Sequence, residues 1–337
     1  MNEFSGDQNF KISNQKVTES CPSNIALIKY WGKYEKQIPA NPSISYTLNL
    51  CKTNTEMEFV ADETFSVQTF LAGKEEVKFA EKIAKYFRSI EEYLPWILKG
   101  KYIIKTENTF PHSSGIASSA SGFGAIAKCL MTLDQSFSGQ TDECFTLKKA
   151  SFIARLGSGS ACRSLYDGLV VWGETKEVYE SSDLFAVHYP NDEVHDVFRS
   201  FNDWVLLIHE GEKAVSSTVG HGLMNTNPYA ERRFQEAHEN FATLKKILKQ
   251  GDMNAFIQLV EHEALTLHAM MMMSEPAFIL MQAGTLAVIN KIWEFRKETN
   301  LPLFFTLDAG ANVHLLFPSN KDEDKITEFI IKELVQH

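Results

Sequence analysis

The spacing of apolar residues changes character several times along this chain. Ser45–Leu50, Thr55–Val60 and Lys101–Thr106 alternate apolar with polar residues and are rich in β-branched side chains, the pattern of a half-buried strand. Between them Phe79, Ile83, Phe87, Ile90 and Leu94 recur at helical spacing and predict an amphipathic helix over Val77–Leu98. Met1–Gln15 follows neither period, so it reads as a disordered, frayed tail with order expected from Lys16. After Thr109 the pattern turns helical over Ser118–Leu133 and Thr141–Leu156, the second opening on Thr141-Asp142-Glu143, a cap with acids in the first turn. Strands follow at Leu169–Trp172, Leu184–Tyr189 and Trp204–His209. Three long helical patterns come next, Pro228–Gln250, Asp252–Met271 and Pro276–Thr299, then a hairpin of Phe304–Leu307 and Val313–Phe317 around residues 308–312. Runs of strands followed by runs of helices specify an α+β fold rather than a doubly wound sheet.

Composition narrows the class. A length of 337 residues corresponds to about two domains, divided as 16–190 and 191–337. The 33 Lys+Arg against 43 Asp+Glu give a net charge of −10, which excludes nucleic acid or an anionic membrane as a partner held by bulk charge. An anionic ligand must then be met by a local positive site. Five widely spaced cysteines without a C-x-x-C pair argue against a disulfide framework or a cysteine zinc site. The N-terminus has no apolar signal segment, and the most apolar stretch, Leu301–Phe317, is broken by Asp308, Asn312 and His314. The expected location is the cytoplasm.

No P-loop, strand-linked G-x-G-x-x-G, H-E-x-x-H or G-x-S-x-G is present. His262 and His268 are six residues apart, wrong for two ligands on one helix face, and read as surface or satisfied core histidines; Met270–Met273 reads as packing or a flexible helix end. Four segments carry candidate chemistry. Residues 109–124, TFPHSSGIASSASGFG, bring small residues into a helix start, whose unpaired N–H groups suit phosphate, although an ordinary capped Ser/Gly loop fits the composition equally well. Residues 155–166, RLGSGSACRSLY, repeat the device and add Arg163, a fork for carboxylate or phosphate that alone would also suit a surface ion pair. Asn24-Ile-Ala-Leu-Ile-Lys-Tyr-Trp-Gly-Lys sets Lys29 and Lys33 around two aromatics, either an anion site or a strand end with solvated lysines. Asp308, in an apolar setting before Ala309-Gly310, is a tunable acid or a turn-forming residue.

Together these segments resemble the GHMP small-molecule kinase superfamily. Pro111, Gly115, Ile116, Ala117, Ser118, Ser119 and Ala120 match its P-x-x-x-G-[IL]-[AG]-S-S-[AS] phosphate loop. Within it, residues 24–33, the string GSGSACRS at 157–164 and Leu307-Asp-Ala-Gly-Ala-Asn resemble the diphosphomevalonate decarboxylases. The resemblance implies a two-lobed fold: an N-terminal lobe of the ribosomal S5 domain 2-like type, a C-terminal α+β lobe, and an active site in the cleft between. It also implies ATP and Mg²⁺, a small phosphorylated mevalonate as substrate, and a homodimer. The implied reaction phosphorylates the tertiary 3-hydroxyl of mevalonate 5-diphosphate, then loses that phosphate with CO2 to give isopentenyl diphosphate. A 5-phosphate decarboxylase, a kinase that stops at phosphoryl transfer, and an inactive binding relative are the alternatives.

The same resemblance assigns roles. Asp308 lies beside the 3-hydroxyl, Arg163 holds the carboxylate, Lys29 is catalytic, and Ser119 reaches the ATP phosphates and the metal. Pro111, His112, Ser113, Ser114, Gly115, Ile116, Ala117, Ser118, Ser119 and Ser121 form the ATP loop. Asn24, Lys29, Tyr30, Trp31, Lys33, Ser158, Ser160, Ser216 and Ser217 hold substrate. The chain departs from the usual pattern at three places: His112-Ser113-Ser114 before the glycine, Pro42 where relatives usually have Ser, and Thr218 where some bacterial members have Arg. The last two leave the number of 5-phosphates on the substrate open.

Overall fold

The computed structural model describes residues 3–6, 8–110, 116–209, 211 and 215–335. β1 (Gln15–Ile28) and β2 (Ser43–Ala61) form a long antiparallel ribbon with Gln15 opposite Phe59 and Ile28 opposite Ile44. Then come β3 (Ser66–Leu71), β4 (Lys74–Glu75), α1 (Val77–Ser89), β5 (Gly100–Asn108), α2 (Ser118–Ser138), α3 (Glu143–Gly157), a 3-10 segment Gly159–Leu165, β6 (Leu169–Trp172) and β7 (Val187–His188). The strands make one sheet in the order β4-β3-β5-β2-β6-β7, with β1 also paired to β2. The second half holds β8 (Phe201–Leu206), α4 (Ser217–Leu223), α5 (Ala230–Gln250), α6 (Met253–Met272), α7 (Ala283–Thr299), β9 (Phe304–Thr306), β10 (Val313–Pro318) and α8 (Glu323–Phe329), which runs on into a π-helical turn. Its three strands form an antiparallel sheet in the order β8-β10-β9. The fold is α+β with two sheets, as the order of patterns predicts.

Alternation along β2 and β5 sends Met57, Phe59, Tyr102 and Ile104 to one face, where they meet Phe87, Leu130 and Phe152 of α1–α3. A second core is built across the two halves. Leu27, Ile28 and Ile44, from the ends of β1 and β2, pack with Phe241, Leu244, Phe256 and Val260 of α5 and α6 and with Phe304 and Leu316 of the hairpin. Phe305, Leu315 and Phe317 point the other way, into a third cluster with Val288, Ile292 and Ile326 of α7 and α8. Cover on both faces is why the hairpin sequence is apolar almost throughout.

Several boundaries differ from the sequence reading. Ser45–Leu50 and Thr55–Val60 are one strand, because the polar stretch between them stays extended and a register shift on β1 between Pro22 and Ser23 absorbs the surplus residues. The helix expected to reach Leu98 ends at Ser89; Pro95 cannot continue it, yet Ile90, Leu94 and Ile97 reach the same core from turns. The helix expected from Pro276 starts at Ala283, where Gln282 and Thr285 form a capping box. Only Val187–His188 of the strand expected over Leu184–Tyr189 is paired, and β8 lies three residues earlier than expected. The frayed tail is also corrected. Phe4 is fully buried, its ring stacked 4.5 Å from Phe152 and close to Phe145 and Phe185, and the Gly6 N–H donates to the Glu92 carbonyl at 3.1 Å. One large aromatic is enough to tie the segment down. No helix among the described residues is long and apolar enough to cross a membrane.

Candidate active site

The end of β1, the start of α2, the Gly157–Ser160 turn, α4 and the loop after β9 converge on a cleft of about 780 Å³. Lys29 lies at its floor. Its peptide is clamped on both sides: its N–H donates to Glu263 at 2.9 Å, and its carbonyl accepts from Asn41 Nδ2 at 2.9 Å and from Arg233 at 3.2 Å. Glu263 and Arg233 are themselves a buried pair, joined by contacts of 3.0 and 2.6 Å, and Asn240 Nδ2 donates to the same carboxylate at 2.6 Å. Lys29 Nζ, so aimed, donates to Asp308 Oδ1 at 3.3 Å. Burial lowers the Lys29 pKa and the facing Asp308 opposes that shift. This lysine is 1% exposed, so the reading of a solvated strand end does not apply.

Arg163 is also buried. Its guanidinium donates to Asn24 Oδ1 at 3.3 and 3.2 Å, to Ser45 Oγ at 2.9 Å and to Ser43 Oγ, and it lies 5.9 Å from the Trp172 ring centroid. Neutral oxygens fix the fork in place, and no carboxylate among the described residues pairs with it. Burial lowers its pKa. Asn24 is held in turn by Ser160 O at 3.2 Å and Ser164 Oγ at 2.8 Å. Opposite, Ala117 enters α2 from the left-handed region (φ 38°), and Ser119 Oγ stands 3.5 Å from Ser158 Oγ across the cleft. Gly159 is needed where it is: a Cβ there would lie 2.7 Å from the Trp172 ring and 2.9 Å from the Tyr30 hydroxyl.

The cleft thus brings together Asn24, Lys29, Tyr30, Trp31 and Lys33; Ala117, Ser118 and Ser119; Ser158, Ser160 and Arg163; Ser216, Ser217 and Thr218; and Asp308. Two expected residues are placed elsewhere. Ser121 is fully buried and its hydroxyl is taken by Thr53 at 2.6 Å, because the helical turn rotates it off the cleft side. The Ile116 side chain is buried too, and its carbonyl accepts from Ser23 Oγ at 2.8 Å. Pro111, His112, Ser113, Ser114 and Gly115 lie outside the described residues. Pro42 does not line the cleft; its carbonyl accepts from Asn41 Nδ2 at 2.8 Å. His262 is an exposed partner of Glu236 and His268 a buried one of the Asp308 carbonyl, as read from sequence.

Sequence reasoning missed Lys82, Lys85 and His221 in the lining, and the Arg233–Glu263 clamp behind it. Lys78, Lys82 and Lys85 recur at four and three residues on α1, a basic helix face that carried the signal. Nothing of the kind marks Arg233 and Glu263, which come from different helices. Among the lining residues five cations, Lys29, Lys33, Lys82, Lys85 and Arg163, face one carboxylate, Asp308. Burial lowers the pKa of Lys33 and Lys82, and Lys82 adds to the shift on Lys33. This is the local positive site that a chain of net charge −10 needs for anionic ligands. No group of three His, Cys, Asp or Glu among the described residues is arranged to hold a metal ion.

Comparison with known proteins agrees with the geometry. Residues 21–185 match the diphosphomevalonate decarboxylase-like N-terminal domain, and residues 204–337 the mevalonate 5-diphosphate decarboxylase C-terminal domain. The diphosphomevalonate decarboxylase of Ganoderma lucidum is 30% identical over 96% of this chain and 84% of its own. The crystal structure of mevalonate diphosphate decarboxylase from Staphylococcus aureus superposes with a TM-score of 0.80 at 29% identity, over 95% of this chain and 93% of that one. A structure described as MDDEF in complex with MVAPP, AMPPCP and magnesium gives 0.81 at 26% identity, over 95% and 94%. With both of its halves matched in order and a whole-length relative at this identity, the chain belongs to the diphosphomevalonate decarboxylase family.

Proposed function

We propose that this cleft uses ATP to phosphorylate the 3-hydroxyl of mevalonate 5-diphosphate and then releases that phosphate with CO2, leaving isopentenyl diphosphate. The observation that carries the assignment is the Lys29–Asp308 pair set in one cleft with the fork of Arg163, which no carboxylate among the described residues pairs. Asp308 receives the 3-hydroxyl and takes up or shields its proton while the γ-phosphoryl group is transferred. After the 3-phosphate departs, the same carboxylate faces the positive charge growing at the tertiary carbon. Lys29, donating to Oδ1, holds Asp308 in position. Arg163, presented by neutral oxygens alone, grips the substrate carboxylate and orients the C–C bond that breaks; the electron pair of that bond becomes the new carbon–carbon double bond, and a carboxylate oxygen pair forms the second C=O of the departing CO2. Ser118 and Ser119, with Lys82 and Lys85 across the cleft, receive triphosphate oxygens, and Ser158, Ser160, Ser216, Ser217, Tyr30 and Lys33 hold the phosphorylated tail.

Mg²⁺ fits this donor set as a companion of the nucleotide: Ser119 would offer it one hydroxyl, with phosphate oxygens and water as its other ligands. When bound it neutralises charge developing on the transferred phosphoryl group. We take the working enzyme to be a cytoplasmic homodimer. The relative solved with MVAPP, AMPPCP and magnesium supports the ligand assignment. The test presents purified protein with ATP, Mg²⁺ and, side by side, mevalonate, its 5-phosphate and its 5-diphosphate. ADP, phosphate and CO2 in equal amounts from the 5-diphosphate are expected; ADP without CO2 would reduce the assignment to a kinase.

A further inference from the structure

His221 lines the cleft, and the reaction above leaves it without a task. Its ring lies between those of Tyr30 and Trp31, with centroids 4.2 and 4.5 Å away. The Gly32 N–H donates to Nδ1 at 3.0 Å, so that nitrogen presents its lone pair and the ring proton resides on Nε2. Nε2 has no hydrogen-bond partner among the described residues. Burial, helped by the charge of Lys33, pushes the His221 pKa to about 3, so the ring stays neutral through the neutral pH range. The cleft is thus offered one fixed, uncharged donor.

We propose that Nε2–H of His221 donates to a phosphate oxygen of the substrate's 5-phosphorylated tail and helps set the preference for phosphorylated over unphosphorylated mevalonate. This rests on the function proposed above. The tail is the matching group because of what surrounds the ring. Arg163, held by Asn24, Ser43 and Ser45, serves the carboxylate end with Asp308, whereas His221 adjoins Tyr30, feels Lys33, and shares α4 with Ser217 and Thr218. A neutral donor to an ionised oxygen makes a charge-assisted bond without burying a further charge.

Two isosteres separate this from a packing role. Asn at 221 puts a carbonyl where Nδ1 stands, keeping the acceptor for Gly32 but losing the donor into the cleft; Gln carries an amide nitrogen to the place of Nε2 and gives up the acceptor. For His221→Gln, KM for mevalonate 5-diphosphate is expected within about threefold of wild type. For His221→Asn it rises by about tenfold or more, with kcat moving much less. A structural ring reverses that order, and the reversed order, or equal KM in all three proteins, overturns the proposal. Calorimetric titration of the two variants with mevalonate 5-diphosphate, with unphosphorylated mevalonate as control, gives a second readout. Dissociation constants for the phosphorylated ligand should follow the same order, and those for mevalonate should coincide. If wild type binds the 5-diphosphate without turning it over, the proposed reaction falls while the order of these constants still decides the role of His221.

Discussion

Replacing Glu263 with Gln tests how the floor of the cleft is held. The carboxylate accepts four donors: Arg233 twice, Asn240 and the Lys29 N–H. A Gln amide has one oxygen and one NH2, so one of the two acceptor positions becomes a donor pointing at donors. Arg233, 1% exposed, is left as a buried cation without counter-charge. Removing one partner of such a pair costs about 3–5 kcal/mol, a large part of the roughly 5–15 kcal/mol that keeps a domain folded. Urea unfolding reads it as a lower midpoint at unchanged slope. Combining Glu263→Leu with Arg233→Met removes both charges, and stability is expected to return to within about 2 kcal/mol of wild type. Turnover should not return with it, because the Lys29 peptide is then held by Asn41 alone, and kcat is expected to fall by roughly tenfold or more. A loss below about 1 kcal/mol in Glu263→Gln, or full activity in the double variant, would refute the reasoning.

Asp308→Asn is expected to lower kcat by roughly a thousandfold while ATP binding, followed by calorimetry, is largely kept; unchanged turnover removes Asp308 from the reaction. Because His221 is depressed to about 3 in the fold, it takes up a proton more readily unfolded than folded between that value and the ordinary histidine range, so its contribution to stability is lost as pH falls. His221→Gln should therefore lose less stability than wild type on going from neutral pH to pH 4, by up to roughly 3 kcal/mol, in urea midpoints measured along the pH series. Phe4→Ala should cost about 3 kcal/mol for the lost aromatic, and an unchanged urea midpoint would mean that the N-terminal segment contributes nothing to the core.

The candidate strings were legible because they are local. Lys29 to Lys33, residues 157–163 and Asp308 each fall in a short run where chemistry and backbone demands coincide, so residue type alone suggests an anion site. What escaped was assembled across distance. Lys82 and Lys85 look like any lysines on an amphipathic helix until the fold brings them to the same cleft as the Gly157–Ser160 turn. His221 gains its meaning from Gly32, and Glu263 from Arg233 thirty residues away. Ser121 failed for a related reason: adjacency in a motif does not fix which side of a helical turn a hydroxyl takes. Strand and helix types were readable from periodicity, but their ends depended on Pro95, the shifted pairing of β1 and the cap at Gln282, which tertiary pairing decides.

The passage of β1 and β2 through both cores has a consequence for how this enzyme can be built up or taken apart. Leu27, Ile28 and Ile44 close one side of the core formed by α5, α6 and the hairpin, although they belong by sequence to the first half. A chain begun near residue 191 would leave Phe241 and Phe256 facing water, and one stopped there would strand its own apolar strand ends. Each half thus has a core of its own and also shares one with the other, so separating them exposes apolar surface on both. Lys29 follows directly on β1, so it meets Asp308 of the second half only when the two halves are joined across this shared core.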